Sequence, residues 1–273
     1  MIIDFNRLLK KLTKCGIKRD KYVVILSLIS STLFQVVWFV AIIYFGFLRK
    51  KAEKFYFKMI STNEFLKYLP SYFPEIVEAN ELAFFTILHI TFCLFVTYYL
   101  LCCRIIRILL QHLLEQLNGN FSPEDFPKYI NLYEEILEIL NIFDDRFSLC
   151  AFLTVLITMT SIFREAYVLA FSPHLSTDFS VYMVVSVFFH LASQLAFIAS
   201  ASLTNETSCI TDSRLENLLY KHCNNGLKLP NLKANCLRNS LTLWKMYVVD
   251  RSLAITCLGS LLTYGILLGT LGK

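Results

Sequence analysis

The sequence predicts an all-α, polytopic membrane protein, and three observations carry that prediction. Its 273 residues are 56% hydrophobic and only 17% charged, against about 45–50% and about 25% in ordinary soluble domains. The apolar residues gather in five long runs instead of spreading along the chain. Each run approaches the ~20 residues that a helix rising about 1.5 Å per residue needs to cross a ~30 Å hydrocarbon core. Helices are expected because lipid offers no partner to an open backbone group, and a helix satisfies its own.

The first 22 residues hold Arg7, Lys10, Lys11, Lys14, Lys18, Arg19 and Lys21. Basic residues beside a membrane helix favour the cytosolic side, so the N-terminus is expected inside. The net charge of +5 finds its use here and makes no case for nucleic acid. The first span, 23–48, is too long for the apolar core of a signal peptide. No small-residue cleavage site follows it, so it is expected to be retained. An outer loop, 49–82, mixes six Lys and Arg residues with Glu53, Glu64, Glu75, Glu78 and Glu81.

The second span, 83–103, is expected to run on beyond the membrane. Ile105, Ile106, Leu109, Leu110, Leu113, Leu114 and Leu117 repeat at helical spacing until Asn118-Gly119-Asn120 stops the helix. Pro123 and Pro127 open the next one. Its apolar stripe of Phe126, Tyr129, Ile130, Tyr133, Ile136, Leu137 and Leu140 lies opposite Glu134, Glu135 and Glu138. This cytosolic helical loop, 104–147, leads into the third span, 148–171. The connection 172–179 has no Lys or Arg and is expected outside. The fourth span, 180–204, completes a membrane portion of four helices over residues 23–204.

Residues 205–251 carry Arg214, Lys221, Lys228, Lys233, Arg238, Lys245 and Arg251 and are expected to be cytosolic anchor helices. Within them Leu237, Leu241, Trp244 and Val248 follow a heptad-like step, which suits packing against copies of the chain or within it. The fifth span and an external tail fill residues 252–273. Two sequons, at Asn120 and Asn205, fall on the side assigned to the cytosol and are expected to stay unmodified.

Catalytic signals are thin. The chain has no GxSxG, HExxH, P-loop or GxGxxG motif. Nine cysteines show no CxxC spacing and read as small apolar thiols. The histidines are dispersed, so neither a metal, another cofactor nor an enzyme is predicted. Three features inside the spans stand out. Arg164 and Glu165 place charge in the third span, where it usually faces a cavity or a partner, although snorkelling or a structural ion pair accounts for them as well. Ser186, His190, Ser193 and Phe197 share a stripe of the fourth span, with Gln194 one turn after His190. This stripe suits a binding cavity or, more commonly, polar packing between helices. Gly265 and Gly269 form GxxxG in the last span, beside Gly259, Ser260, Thr263 and Thr270. Such a face suits a close helix contact or a pore wall.

Two stretches resemble arthropod gustatory receptors. One is Asp250-Arg-Ser-Leu followed by Gly259-Ser-Leu-Leu-Thr-Tyr264. It is similar to the family's C-terminal pattern of Thr-Tyr, five apolar residues and Gln-Phe, with Thr270-Leu271 standing where that pattern has Gln-Phe. The other is Tyr133, Leu137, Leu140-Asn141 and Phe147-Ser148, similar to the segment entering the family's third-from-last membrane helix. The resemblance implies seven membrane helices, of which the five here would be the last five. The chain is then expected to lack counterparts of the first two, as a partial or degenerate copy would.

The resemblance further implies a multi-pass plasma-membrane protein of sensory neurons. It would be a ligand-gated, non-selective cation channel, assembled as a homo- or heterotetramer around the last helix and opened by a small-molecule tastant. By position it assigns Leu267 to the gate and Thr270 to the pore, with Thr263 and Tyr264 on the same helix. Leu237, Leu241, Trp244 and Val248 become the oligomer anchor. The chain's expected outer ends add ligand-pocket candidates: Trp38, Tyr44, His89, Arg164, Tyr167, Tyr182 and His190. The alternatives are a non-conducting membrane subunit or degenerate receptor, and a small-molecule transporter. The latter commonly shows broken helices and internal symmetry, neither of which is evident here.

Overall fold

The computed structural model describes residues 73–119, 125–171, 177–222 and 240–271. It is almost entirely helical. Helices α1 (Phe73–Asn118), α2 (Phe126–Phe171) and α3 (Thr177–His222) have 46 residues each, roughly 69 Å at about 1.5 Å per residue. All three are long and apolar enough to cross a membrane, and each is about twice as long as a crossing requires. After α3 come two-residue strands, β1 (Thr242–Leu243) and β2 (Tyr247–Val248), and then helix α4 (Arg251–Leu271).

The helix ends follow from local chemistry. Pro74 and Pro127 are the second residues of α1 and α2, where a missing N–H costs nothing. Gly119 closes α1 by donating its N–H to the Glu115 carbonyl at 2.9 Å.

Helices α1 and α3 lie side by side and point the same way. His89 meets Phe189 with ring centroids 5.5 Å apart, Tyr99 stacks on Phe197 at 4.2 Å, and the Thr204 hydroxyl reaches the Cys103 carbonyl at 3.1 Å. Helix α2 runs the opposite way, setting Phe143 against Tyr99 and Phe147 against Phe95, with Glu165 opposite Ser186.

Burial differs sharply between the two ends of this bundle. Towards the C-terminus of α1, Ile105, Ile106, Leu109, Leu110, Leu113 and Leu117 are all but fully buried, packed with Tyr133, Ile136 and Leu140 of α2 and Leu215 of α3. Each such side chain contributes about 1.5–3 kcal/mol at most if its unfolded reference is water. At the other end Ile87, Leu94, Leu153 and Phe188 stay exposed, Phe188 by 65%. Water would drive these side chains inward, whereas hydrocarbon has no such preference. The exposed apolar end therefore suits lipid, and the end with the apolar core suits water.

Several sequence expectations change. Residues 73–82, assigned to an outer loop, belong to α1. Others hold: the second span runs on through 104–118 and stops at Asn118, while 205–222 continues the fourth. The helix that opens beside Pro127 leads into the third span, with which it is continuous. Among the described residues three helices are long and apolar enough to cross a membrane, at the second, third and fourth expected spans, and a shorter apolar run, Arg251–Leu267, stands at the fifth. The expected span 23–48, the basic N-terminus and loop residues 49–72 lie outside the described residues.

The largest correction concerns the anchor seam, which is not helical over 241–248. Thr242 pairs with Val248 and Leu243 with Tyr247 in an antiparallel hairpin. Thr242, Tyr247 and Val248 are residue types that suit a pleated strand. Leu241, Leu243 and Val249 are buried. At the tip the Met246 N–H bonds to the Leu243 carbonyl at 3.0 Å, and Trp244 and Lys245 take φ of 49° and 56°. Two successive positive φ values mark a type I′ turn, a place ordinarily filled by Asn-Gly. With Trp-Lys there, the sequence carries no turn signal. The heptad set dissolves accordingly: Leu241 is buried within its own chain, Trp244 and Val248 are exposed, and Leu237 lies outside the described residues.

Candidate functional site

A polar cluster forms where α2 and α3 meet at the lipid-suited end, with α1 beside it. Glu165 is the second last turn's inward residue on α2, six residues before Phe171 and 3% exposed. Its Oε1 accepts the Ser186 hydroxyl at 2.8 Å. Two cationic or potentially cationic groups stand off at 3.8 Å from the same oxygen: His190 Nε2 and Arg164 Nη2. That is too long for a hydrogen bond. The Arg164 side chain is 65% exposed, so it neutralises Glu165 only loosely. Glu165 Oε2 and His190 Nδ1 are buried without a hydrogen-bond partner.

Aromatic and sulfur groups of α1 and α3 close the other side. The His190 ring meets Phe92 and Phe189 edge-on at centroid distances of 6.3 and 5.5 Å. His89 packs on Phe189 and lies 3.4 Å from the Cys93 thiol. Gln194, one turn beyond His190, is buried with neither amide atom hydrogen-bonded in the bundle. A carboxylate has about four lone-pair positions, and the neighbours of Glu165 fill few of them. Buried polar groups are normally satisfied, so the cluster is a polar handle inside an apolar wall.

Of the pocket candidates, His89, Arg164 and His190 converge here. Tyr167 does not: it is 47% exposed and packs on Phe171 at 4.9 Å. Tyr182 is half-buried one turn before Ser186, while Trp38 and Tyr44 lie outside the described residues. Sequence reasoning passes over the inward role of Cys93 and Phe92. The His89–Cys93 spacing of four, one helical turn, is the signal that could have pointed to Cys93.

At the opposite end of the bundle, polar side chains of α2 and α3 clamp the hairpin. The Asn205 carboxamide donates to the Leu241 and Val249 carbonyls at 3.1 and 2.9 Å and accepts the Leu241 N–H at 2.8 Å. Asp144 accepts the Thr242 N–H at 2.6 Å and the Thr242 hydroxyl at 2.8 Å. Burial pushes the Asp144 carboxyl above its ordinary pKa, and the bonds from Thr242 pull it back. Trp244 donates its N–H to the Ser148 carbonyl at 2.9 Å and packs its ring on Phe152. Ion pairs Lys245–Asp145 and Arg251–Glu206 flank the clamp.

The hairpin delivers the chain directly into α4. Asp250 caps this helix, accepting the Leu253 N–H at 2.9 Å and the Ser252 hydroxyl at 2.7 Å. The first turns of α4 pack on the bundle through Leu253, Ala254 and Cys257. Beyond them Leu262, Tyr264, Ile266 and Leu267 are 51–67% exposed. Tyr264 touches the body edge-on against Phe163 at 6.3 Å. Thr263 and Thr270 are exposed and return their hydroxyls to the Gly259 and Leu267 carbonyls, which hides the polar hydrogen from lipid. Nothing stands within 4 Å of a Cβ built on Gly259 or Gly265. Of the four residues assigned to pore and gate, Thr263, Leu267 and Thr270 are thus exposed, and Tyr264 is exposed but edges onto Phe163.

An open groove of about 490 Å³ between α1 and α3 is lined by Leu114, Asn118, Cys209, Ile210, Ser213, Arg214 and Asn217. It contains none of the pore, anchor or ligand-pocket candidates. Among the described residues no group of three or more His, Cys, Asp or Glu side chains could hold a metal ion. No family model matches the chain, and no curated protein matches it.

Proposed function

We propose that the chain is a subunit of a taste-type receptor channel in the plasma membrane, passing cations when a small molecule binds. The observation that carries this is the state of α4. It is capped and clamped at its start, yet leaves Leu262, Ile266, Leu267 and two glycines uncovered along the rest of its length. A helix fixed at one end and open on a small-residue face is suited to gather with copies of itself around an axis. Leucines on such a face gate by dewetting.

In this mechanism the ligand occupies the Glu165–His190 region and favours one of two helix arrangements. It shifts the gate only through its differential affinity for the open state. Helices α2 and α3 run unbroken from that cluster to Asp144 and Asn205, which hold the hairpin that starts α4. They supply a stiff connection between ligand and gate. The non-conducting alternative draws on Thr270, which stands at the position of the pore glutamine in the family the tail resembles.

Counting photobleaching steps of the fluorescently tagged chain in the plasma membrane tests the assembly. Spots dominated by four steps are expected, and mostly single steps would overturn the channel assignment. Tetramers that carry no ligand-evoked cation current would leave the non-conducting subunit in its place.

A further inference from the structure

We propose that the Glu165 cluster binds a small organic ammonium ion, with the carboxylate as counter-ion and Phe92 and Phe189 as flanking walls. This rests on the ligand site proposed above and specifies its chemistry.

Glu165 is buried, and of its oxygens Oε1 holds a single hydroxyl while Oε2 has no partner. A carboxylate out of water needs either a cation or several donors. The cations at hand meet that need poorly. Arg164 stands 3.8 Å away with its side chain largely outside, and His190 at 3.8 Å makes no hydrogen bond. A primary ammonium brings three donors and a full charge to one point. The groups around the cluster suit such a guest. Phe92 and Phe189, which meet the His190 ring at 6.3 and 5.5 Å, are aromatic rings of the kind that attracts cations, and the unpartnered His190 Nδ1 is an acceptor in one tautomer. Arg164 then acts as a tethered stand-in, loosely held and displaced when the guest arrives. A neutral alcohol of the same shape lacks the charge that makes this exchange favourable.

The purified full-length chain in detergent is tested with benzylamine and with benzyl alcohol, its neutral counterpart, by thermal unfolding. A ligand that binds only the folded state raises Tm with concentration, by about 5 °C near a 100-fold excess over Kd. Benzylamine is expected to raise Tm and benzyl alcohol not to. Glu165→Gln is expected to abolish the shift, and Arg164→Gln to lower the concentration that produces it by about tenfold. No shift with benzylamine, an equal shift with benzyl alcohol, or a shift retained in Glu165→Gln would overturn the assignment. If Glu165→Gln fails to fold, the Arg164→Gln titration decides alone: unchanged or weakened binding rejects the exchange. Binding is read without current. A chain that binds benzylamine yet never conducts therefore rejects the channel and keeps this site, and one that conducts to other compounds while ignoring amines does the reverse.

Discussion

Asn205 on α3 holds the foot of the hairpin by exchanging two hydrogen bonds with Leu241, N–H to Oδ1 at 2.8 Å and Nδ2 to the carbonyl at 3.1 Å. A third bond, from Nδ2 to the Val249 carbonyl at 2.9 Å, ties in the return strand. One side chain thus closes a gap of 36 residues in sequence and sets where α4 departs from the bundle.

Removing that side chain strands buried backbone. In Asn205→Ala the Leu241 N–H and the Val249 carbonyl lose their partners, while the Leu241 carbonyl keeps the Val249 N–H. At about 1–3 kcal/mol for each stranded group, a loss of about 3 kcal/mol is expected, measured by denaturation in detergent. Asn205→Asp should do no better, because an oxygen would then face two carbonyls. A loss below about 0.5 kcal/mol in both variants would show that the clamp does not hold the hairpin.

The turn tip offers the opposite sign. Lys245 sits at φ 56°, a conformation that costs a residue with a Cβ about 1 kcal/mol and glycine nearly nothing. Its exposed ion pair with Asp145 contributes less than that. Lys245→Gly is therefore expected to stabilise the chain by about 0.5 kcal/mol, with a matching rise in Tm. Trp244→Gly removes the same strain but forfeits the Phe152 contact, and should not stabilise. Destabilisation by Lys245→Gly would mean that the turn does not adopt this geometry.

Asp250 ties stability to acid. Bonds from the Ser252 hydroxyl and the Leu253 N–H hold its carboxyl below the ordinary carboxylate value. A group whose folded pKa is depressed stabilises the fold above its unfolded pKa and loses that contribution as pH falls through the folded one. Asp250→Ala is expected to cost about 1 kcal/mol near neutral pH. The difference from the parent chain should shrink below about pH 4. A difference that persists unchanged at pH 2 would separate the cap from the carboxylate charge.

The sequence by itself determined the long helices of the described residues and which of their faces are apolar. The repeat of Leu109, Leu110, Leu113 and Leu117 fixes one face of α1, and that face is buried as the spacing requires, because a 3.6-residue period is local information. Pro127 and Gly119 likewise announce ends that local sterics dictate. Only the tertiary structure decided which residues leave that pattern. The step from Leu241 to Val248 fits a heptad as well as a strand, and the hairpin prevails because Asn205, Asp144 and the Ser148 carbonyl meet its backbone from two distant helices. The polar cluster has the same origin: Glu165 and Ser186 are 21 residues apart and come together only because α2 and α3 pack antiparallel. Periodicity records which face of a helix is apolar, while the partner across that face is set by how whole helices dock.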